Sequence, residues 1–443
     1  MKRMKHLITS VALLLVGAVS VQAQMTLSVD EAVQIALSEN PTIKVAELEV
    51  ERYDYVRKTT FGSLLPQISV SGDFTRTLKN QSMAEGFTLG SEQYNTISAS
   101  ADATLALYAP AVYRTMKMNK IEASVAVESA RSSKIEMVAA VKQAFYNIVL
   151  AQKSLTVMES SYETAKQTVY ETQIKFDNGI ASEYDLLTAQ VQQSNIEPTI
   201  IQLKSSIEIA KDLLKMYLSI PDNITIEVTG ELETMKSEAI GNFTTISTDI
   251  SENSTLKSLD LQSEILAQSK KVSNAARLPT LAAWGSYTYT GNNMGSFDLT
   301  GSGTASTDKS YFWQGPAYVG LSLSVPIFTG LSNTYRAKQI TNQIEQLKLQ
   351  RSYTEESVKL SVRTAISDLI TAREQMLAQQ TVVEQATKAY AISDVRYKAG
   401  AGTILELNSA SLAQTQAELN YSQAIYDLLV AFAEYNKIIG KEN

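Results

Sequence analysis

The chain states one plan twice, and this repetition constrains its fold more than any other feature. SENPTIK at positions 38–44 returns as SENSTLK at 251–257, an offset of 213. In each copy an asparagine (Asn40, Asn253) is followed 26 positions later by a proline (Pro66, Pro279), which opens QISVSGDFTR in one case and TLAAWGSYTYT in the other. Further on, FDNGIASEYDL (176–186) returns as YKAGAGTILEL (397–407), with aromatic, Gly, Ser or Thr, acid and Leu equally spaced and an offset of 221. Two matches in the same order mean an internal duplication, so the architecture must be two copies of one unit.

Each copy reads as helix, strand pair, long helix, Gly turn, helix. Repeat 1 covers 24–220 and repeat 2 covers 251–440, joined by a mostly polar segment at 221–250. In repeat 1, Ser28 with Glu31 three residues later forms a capping-box signature, and Pro41 suits a first helical position. Helical periodicity runs to about residue 63, then strands are expected near 67–77 and 95–107 (hairpin 67–107), helix over 111–175, and helix over 182–218. Repeat 2 gives helix 253–277, strands 280–290 and 317–327 (hairpin 280–327), helix 331–397 and helix 403–438. The two long helices would each extend about 100 Å at 1.5 Å per residue. Their apolar stripes are narrow: Ile135, Val138, Phe145, Ile148 and Leu155 in one, Val358, Val362, Ile366, Leu369 and Met376 in the other. Such stripes indicate coiled-coil packing rather than a globular core. Pro198 is expected to break or bend the shorter helix of repeat 1.

The strands alternate strictly. Ile97, Ala99, Ala101, Ala103, Leu105 and Leu107 share one face, opposite Thr96, Ser98, Ser100, Asp102 and Thr104; Val319, Leu321, Leu323, Val325 and Ile327 repeat the pattern. One face suits lipid and the other water, as in a membrane barrel; a soluble sheet on a core would alternate in the same way. Tyr94, Tyr108, Tyr287, Tyr289, Trp313, Tyr318 and Phe328 lie within or near the strand ends, where interfacial aromatics belong. Of eight prolines, Pro66, Pro110, Pro279 and Pro326 fall at the four helix–strand junctions. Loops at 79–93 and 291–315, rich in Gly, Ser, Thr and Asn, are expected to face outward. Four strands cannot close a barrel, so the barrel must be shared: two chains give eight strands and three give twelve.

The N-terminus sets the compartment. Basic MKRMKH, apolar LITSVALLLVGAVS and Val21-Gln22-Ala23 form a signal peptide over 1–23. The only histidine, His6, leaves with it, and there is no cysteine. The usual nucleophile–base pairs and transition-metal ligand sets are thereby missing, and neither an enzyme nor a cofactor is expected. Loss of Lys2, Arg3 and Lys5 takes the net charge from −7 to −10, which disfavours nucleic acid.

LSVDEAVQIALSENP, the two Leu-Pro strand entries, SVPIFTG (324–330) and the paired Gly motifs together resemble the TolC-like outer-membrane efflux protein family, over about residues 24–440. The resemblance implies a homotrimer: a twelve-stranded barrel in outer-membrane lipid, continued by a long α-helical barrel through the periplasm. It implies an exit duct serving an inner-membrane pump of RND or ABC type through a periplasmic adaptor. The adaptor-docking tips would be Asn178, Gly179, Ile180, Ala181 and Ser182, with Ala399, Gly400, Ala401, Gly402 and Thr403. The gate would comprise Asp185 and Tyr397, linking adjacent hairpins, and Glu406, an acidic ring. The same glycines would also end helices, and both acids would also cap them. Gly402 stands where some relatives carry a gating arginine and Ser409 where a second acid would sit, so the resemblance implies either a looser closed state or one held by other groups such as Arg396. A diffusion porin or a periplasmic coiled-coil scaffold are the alternatives; the first lacks long helices, the second lacks alternating hairpins.

Overall fold

The architecture was obtained from a computed structural model, which describes residues 24–79, 82–84, 87–88, 93–241, 243, 246–293 and 310–442. The signal peptide and most of the loops at 79–93 and 291–315 lie outside the described residues. In chain order the elements are β1 (Gln24–Leu27), α1 (Val29–Glu39), α2 (Pro41–Gly62), β2 (Gln67–Thr77), β3 (Ser82–Ala84), β4 (Phe87–Thr88) and β5 (Tyr94–Tyr108). These are followed by α3 (Pro110–Asp177), α4 (Glu183–Leu218), β6 (Thr225–Val228), α5 (Leu232–Gly241) and α6 (Ser254–Ala275). The chain ends with β7 (Thr280–Asn292), β8 (Phe312–Gln314), β9 (Ala317–Ser324), α7 (Ser332–Lys398) and α8 (Ile404–Ile439).

Element lengths repeat as the sequence does: α2 and α6 have 22 residues each, α3 and α7 have 68 and 67, and α4 and α8 have 36 each. Even single hydrogen bonds recur. Asn40 Nδ2 donates to the Tyr217 carbonyl and Asn253 Nδ2 to the Ile438 carbonyl, both at 2.8 Å. The long helices persist because no glycine or proline interrupts α3 or α7 after Pro110, which stands at the first helical position. Pro198 does not break α4. Its side chain and Ser194, whose carbonyl it leaves without an intrahelical donor, are both exposed, so water can satisfy that oxygen.

The chain forms two compact units. One, built from Glu47–Ser129 and Thr255–Thr354, carries the large sheet. Its four long strands run β2–β5–β7–β9, all antiparallel, with short β8 also on β7. Register aligns the alternating faces across the sheet. Val70 pairs with Ala101, Ala101 with Tyr287, and Tyr287 with Ala317, while Ser69–Asp102–Ser286 crosses on the other face. The apolar face is bare: Val70 is 78% exposed and Val319 is 91% exposed. No described helix is long and apolar enough to cross a membrane.

The other unit, containing Ala130–Ser254 and the chain from Glu355 onward with α1 and β1, holds the main core. Leu27, Phe145, Ile148, Leu214, Ile226, Leu369, Met376 and Leu428 are all buried there. The expected apolar stripes supply part of it, but the connecting segment supplies more than its polar composition suggested. β6 pairs in parallel with β1, and Ile226, Val228, Leu232, Met235 and Ala239 are buried. A short period-two pattern over Thr225–Val228 is the reason: two residues face in and two face out.

Tyr146 sits partly buried against this core. Burial pushes its hydroxyl up to about 12, and the Asp30 and Glu238 carboxylates add to the effect. An unfolded tyrosine ionises near 10. The unfolded state therefore loses this proton first, and the stabilisation, intact below about pH 10, disappears as pH rises toward 12. Urea melts of the parent and Tyr146→Phe should diverge over that window by roughly 2–3 kcal/mol, the parent losing more. Lys142, whose pKa burial lowers despite Asp30, is common to both proteins and cancels in the comparison. Parallel pH profiles would remove Tyr146 from the account.

Candidate functional site

Two helix-turn-helix ends define the site. Residues 178–182 join α3 to α4, and 399–403 join α7 to α8. Gly179 and Gly400 stand at φ +72° and +73°, the left-handed conformation that closes a helix C-terminus. Behind each, the residue after the glycine donates its N–H back into the last turn: Ile180 to the Lys175 carbonyl at 2.7 Å, Ala401 to the Arg396 carbonyl at 2.9 Å. The next helix starts at once. Ser182 with Asp185, and Thr403 with Glu406, form reciprocal capping boxes. A Cβ built on either glycine meets no atom within 4 Å, so both tips are open to approach.

The expected gate residues occupy different settings. Asp185 Oδ2 accepts from the Ser182 N–H at 3.1 Å and from its hydroxyl at 2.7 Å, closing its own cap. Glu406 caps α8 in the same way, and its Oε2 lies 3.6 Å from Arg396 Nη2. That ion pair is half-exposed and contributes only about 0–1 kcal/mol. Arg396 also donates to the Ala401 carbonyl at 3.3 Å. Gly402 makes room for this: a Cβ there would stand 3.2 Å from Arg396 Cβ and 3.3 Å from Glu406 Oε2. The cation beside Glu406 is thus supplied by Arg396.

Tyr397 is 6% exposed, packed with Ala189, Ile404 and Leu407 and flanked by Val169 and Tyr390. Its hydroxyl pairs with Thr172 Oγ1 at 2.7 Å rather than with Asp185. Lys175 Nζ lies 3.8 Å from the centre of its ring and donates to its carbonyl at 3.1 Å. Burial pushes the Tyr397 hydroxyl pKa up; the Thr172 bond opposes this, and Asp185 and Glu171 add to it. Thr172 and Lys175 were missed from the sequence. The duplication carried a signal: Lys175 is the counterpart of Arg396, both one residue before the aromatic.

Alongside the tips, α4 and α8 enclose a groove of about 480 Å³ lined by Tyr184, Leu187, Val191, Leu405, Ser409 and Leu412. Its apolar side chains are exposed.

The chain is 21% identical over 383 residues to "Outer membrane protein TolC" of Vibrio cholerae, covering 85% of this chain and 82% of that one. It is 22% identical over 403 residues to "Alkaline protease secretion protein AprF" of Pseudomonas aeruginosa, covering 90% and 81%. Among solved structures, the CmeC outer membrane channel of Campylobacter jejuni aligns with TM-score 0.70 at 18% identity, covering 93% of this chain and 85% of that one. The open state of the Neisseria gonorrhoeae MtrE channel aligns with TM-score 0.69 at 16% identity, covering 96% and 94%. The "Outer membrane efflux protein" family model matches residues 32–218 and again 246–441, once per repeat. With most of its length matched in this way, the chain belongs to the outer membrane efflux protein family.

Proposed function

We propose that three copies of this chain close a twelve-stranded barrel in outer-membrane lipid, and that their helices continue it as the exit duct of a tripartite efflux or secretion system. One observation carries the reading. The sheet has four long strands, a bare apolar face, and two edges, β2 and β9, that pair with no further long strand among the described residues. In lipid each unpaired edge group costs several kcal/mol, and about eight strands is the smallest barrel that abolishes edges. Copies of the same chain supply the missing strands, and three match the family's architecture. The relatives' names support the duct: CmeC and MtrE are outer membrane channels, and AprF is a secretion protein.

The tips Asn178–Ser182 and Ala399–Thr403 then receive a periplasmic adaptor, which couples the duct to an inner-membrane pump. The exposed apolar groove between α4 and α8 beside the tips offers that adaptor a docking surface. Asp185, Tyr397 and Glu406 form the gate region, with Glu406 favouring cations in the bore. Native mass spectrometry in detergent should give a trimer; a monodisperse monomer or dimer would overturn the assembly. Gly400→Trp should abolish efflux at normal trimer yield, whereas Gly400→Asn, which tolerates the left-handed backbone, should retain most of it. Full efflux by Gly400→Trp would move docking elsewhere.

A further inference from the structure

Asp102, Trp284 and Tyr318 lie around one serine on the polar face of the sheet. The row Ser69–Asp102–Ser286 continues onto β9 at Tyr318, which pairs with Ser286. Asp102 and Tyr318 therefore flank Ser286 from either side, two strand spacings or about 10 Å apart. Trp284 stands two residues along β7 on the same face and pairs with Gly320. Its indole leans over that glycine: Cε2, Cζ2 and Nε1 each lie 3.0 Å from the point a Gly320 Cβ would occupy. The ring is thus settled on its neighbour strand and still 40% exposed, and Tyr318 is 57% exposed.

Neither membrane anchoring nor the hairpin plan accounts for these side chains. Interfacial aromatics belong on the lipid side, as Tyr287 and Tyr289 do, whereas Trp284 and Tyr318 share the face of Ser286. The duplication gives the plain version of the same place. Ser71–Ser100 in the first hairpin corresponds to Trp284–Gly320 in the second, and there two hydroxyls simply pair at 2.8 Å. Tyr318 likewise corresponds to Ser98, and Asp102 to Ser322. One hairpin has acquired the charge and the other the rings, and they adjoin where β5 meets β7. The polar face of the long strands carries two charged side chains, Asp73 and Asp102, and no lysine or arginine among the described residues; Arg76 shares the face of Val70 and Phe74.

We propose that Asp102, Trp284 and Tyr318 form a binding station for hydrophobic organic cations on the inner wall of the barrel, one in each protomer. The station rests on the barrel arrangement proposed above, in which the polar face lines the bore. Aromatic faces attract a quaternary ammonium through the ring quadrupole, and a carboxylate on the opposite wall adds charge complementarity. Rings alone would accept any apolar solute; Asp102 restricts the occupant to cations. Gly320 is part of the design, because a side chain there would lift the indole off β9 and into the bore.

A single thiol in the full-length assembly, reconstituted in lipid vesicles, tests this. The chain has no cysteine, so Ser286→Cys places its only thiol on the floor of the station. A trimethylammonium-ethyl methanethiosulfonate reagent, which stays in water, should modify it. Phenyltrimethylammonium should slow that reaction about three- to tenfold, and sodium chloride at the same ionic strength should not. Adding Trp284→Leu or Asp102→Asn should remove the protection, and Trp284→Tyr should keep most of it. Native mass spectrometry checks assembly of every variant, and Asp102→Asn carries the test if Trp284→Leu assembles poorly. A thiol that reacts without protection, or is protected equally by sodium chloride, overturns the station and leaves the barrel standing. Protection that survives both Trp284→Leu and Asp102→Asn overturns it as well. If Ser286→Cys is shielded while Tyr287→Cys reacts, the polar face does not line the bore, and the barrel arrangement fails together with the station.

Discussion

Val70→Arg should prevent stable assembly in the outer membrane, while Ser69→Arg, one residue away, should be tolerated. Val70 lies on the bare apolar face, paired with Ala101 in the middle of β2–β5. An arginine facing lipid near the bilayer midplane costs about 2–4 kcal/mol, and in the proposed trimer each copy of the chain adds that cost. Ser69 faces the other way, directly opposite Asp102. A cation there stands next to a carboxylate on the water side, a pairing worth roughly 0.2–1 kcal/mol. The assembled fraction recovered from outer-membrane extracts gives the answer for both. Normal recovery of Val70→Arg with loss of Ser69→Arg would mean that the lipid and water faces are reversed.

Gly440→Ala should be among the most damaging single-methyl changes in the helical unit. Gly440 ends α8 at φ +81°, and a Cβ there would collide with the Glu252 carbonyl oxygen. That carbonyl cannot move freely, because Arg131 donates to it and also to the Gly440 carbonyl. Nearby, the Tyr435 hydroxyl both accepts from the Ser247 N–H at 2.7 Å and donates to its carbonyl at 2.9 Å. Left-handed backbone costs a non-glycine about 1–2 kcal/mol, and forcing a rigid contact apart about 1–3 more. The repeat supplies its own control. Ser219, the counterpart of Gly440, already stands at φ +56° and is exposed. Ser219→Gly should therefore leave stability unchanged or raise it by up to about 1 kcal/mol. Denaturant melts of the two variants should bracket the parent; coincident curves for Gly440→Ala and parent would show that the close approach carries no energetic weight.

Much of this molecule is legible without coordinates because its signals are local. Glycine-free, proline-free runs after Pro110 and after Ser332 extend a helix for nearly seventy residues. Strict alternation over Tyr94–Tyr108 sets a strand, and the Gly179 and Gly400 motifs set two turns that the structure bounds at 178–182 and 399–403. Each depends on neighbours a few residues apart, where backbone sterics and capping act directly. What escaped the reading depends on partners far away in the chain. The connecting segment looked polar, yet Ile226 and Val228 are buried once β6 meets β1, some 200 residues earlier. Alternation put apolar residues on one face of each strand, but only register made Val70, Ala101, Tyr287 and Ala317 one continuous surface. Asp185 and Tyr397 drew notice only through the family resemblance, and that Tyr397 turns to Thr172 and Lys175 was not contained in it. The sequence by itself determined the elements, their duplication and the turns between them. Tertiary structure decided which faces merge and which side chains meet, because burial and long-range hydrogen bonds exist only after distant segments have been brought within a few ångströms.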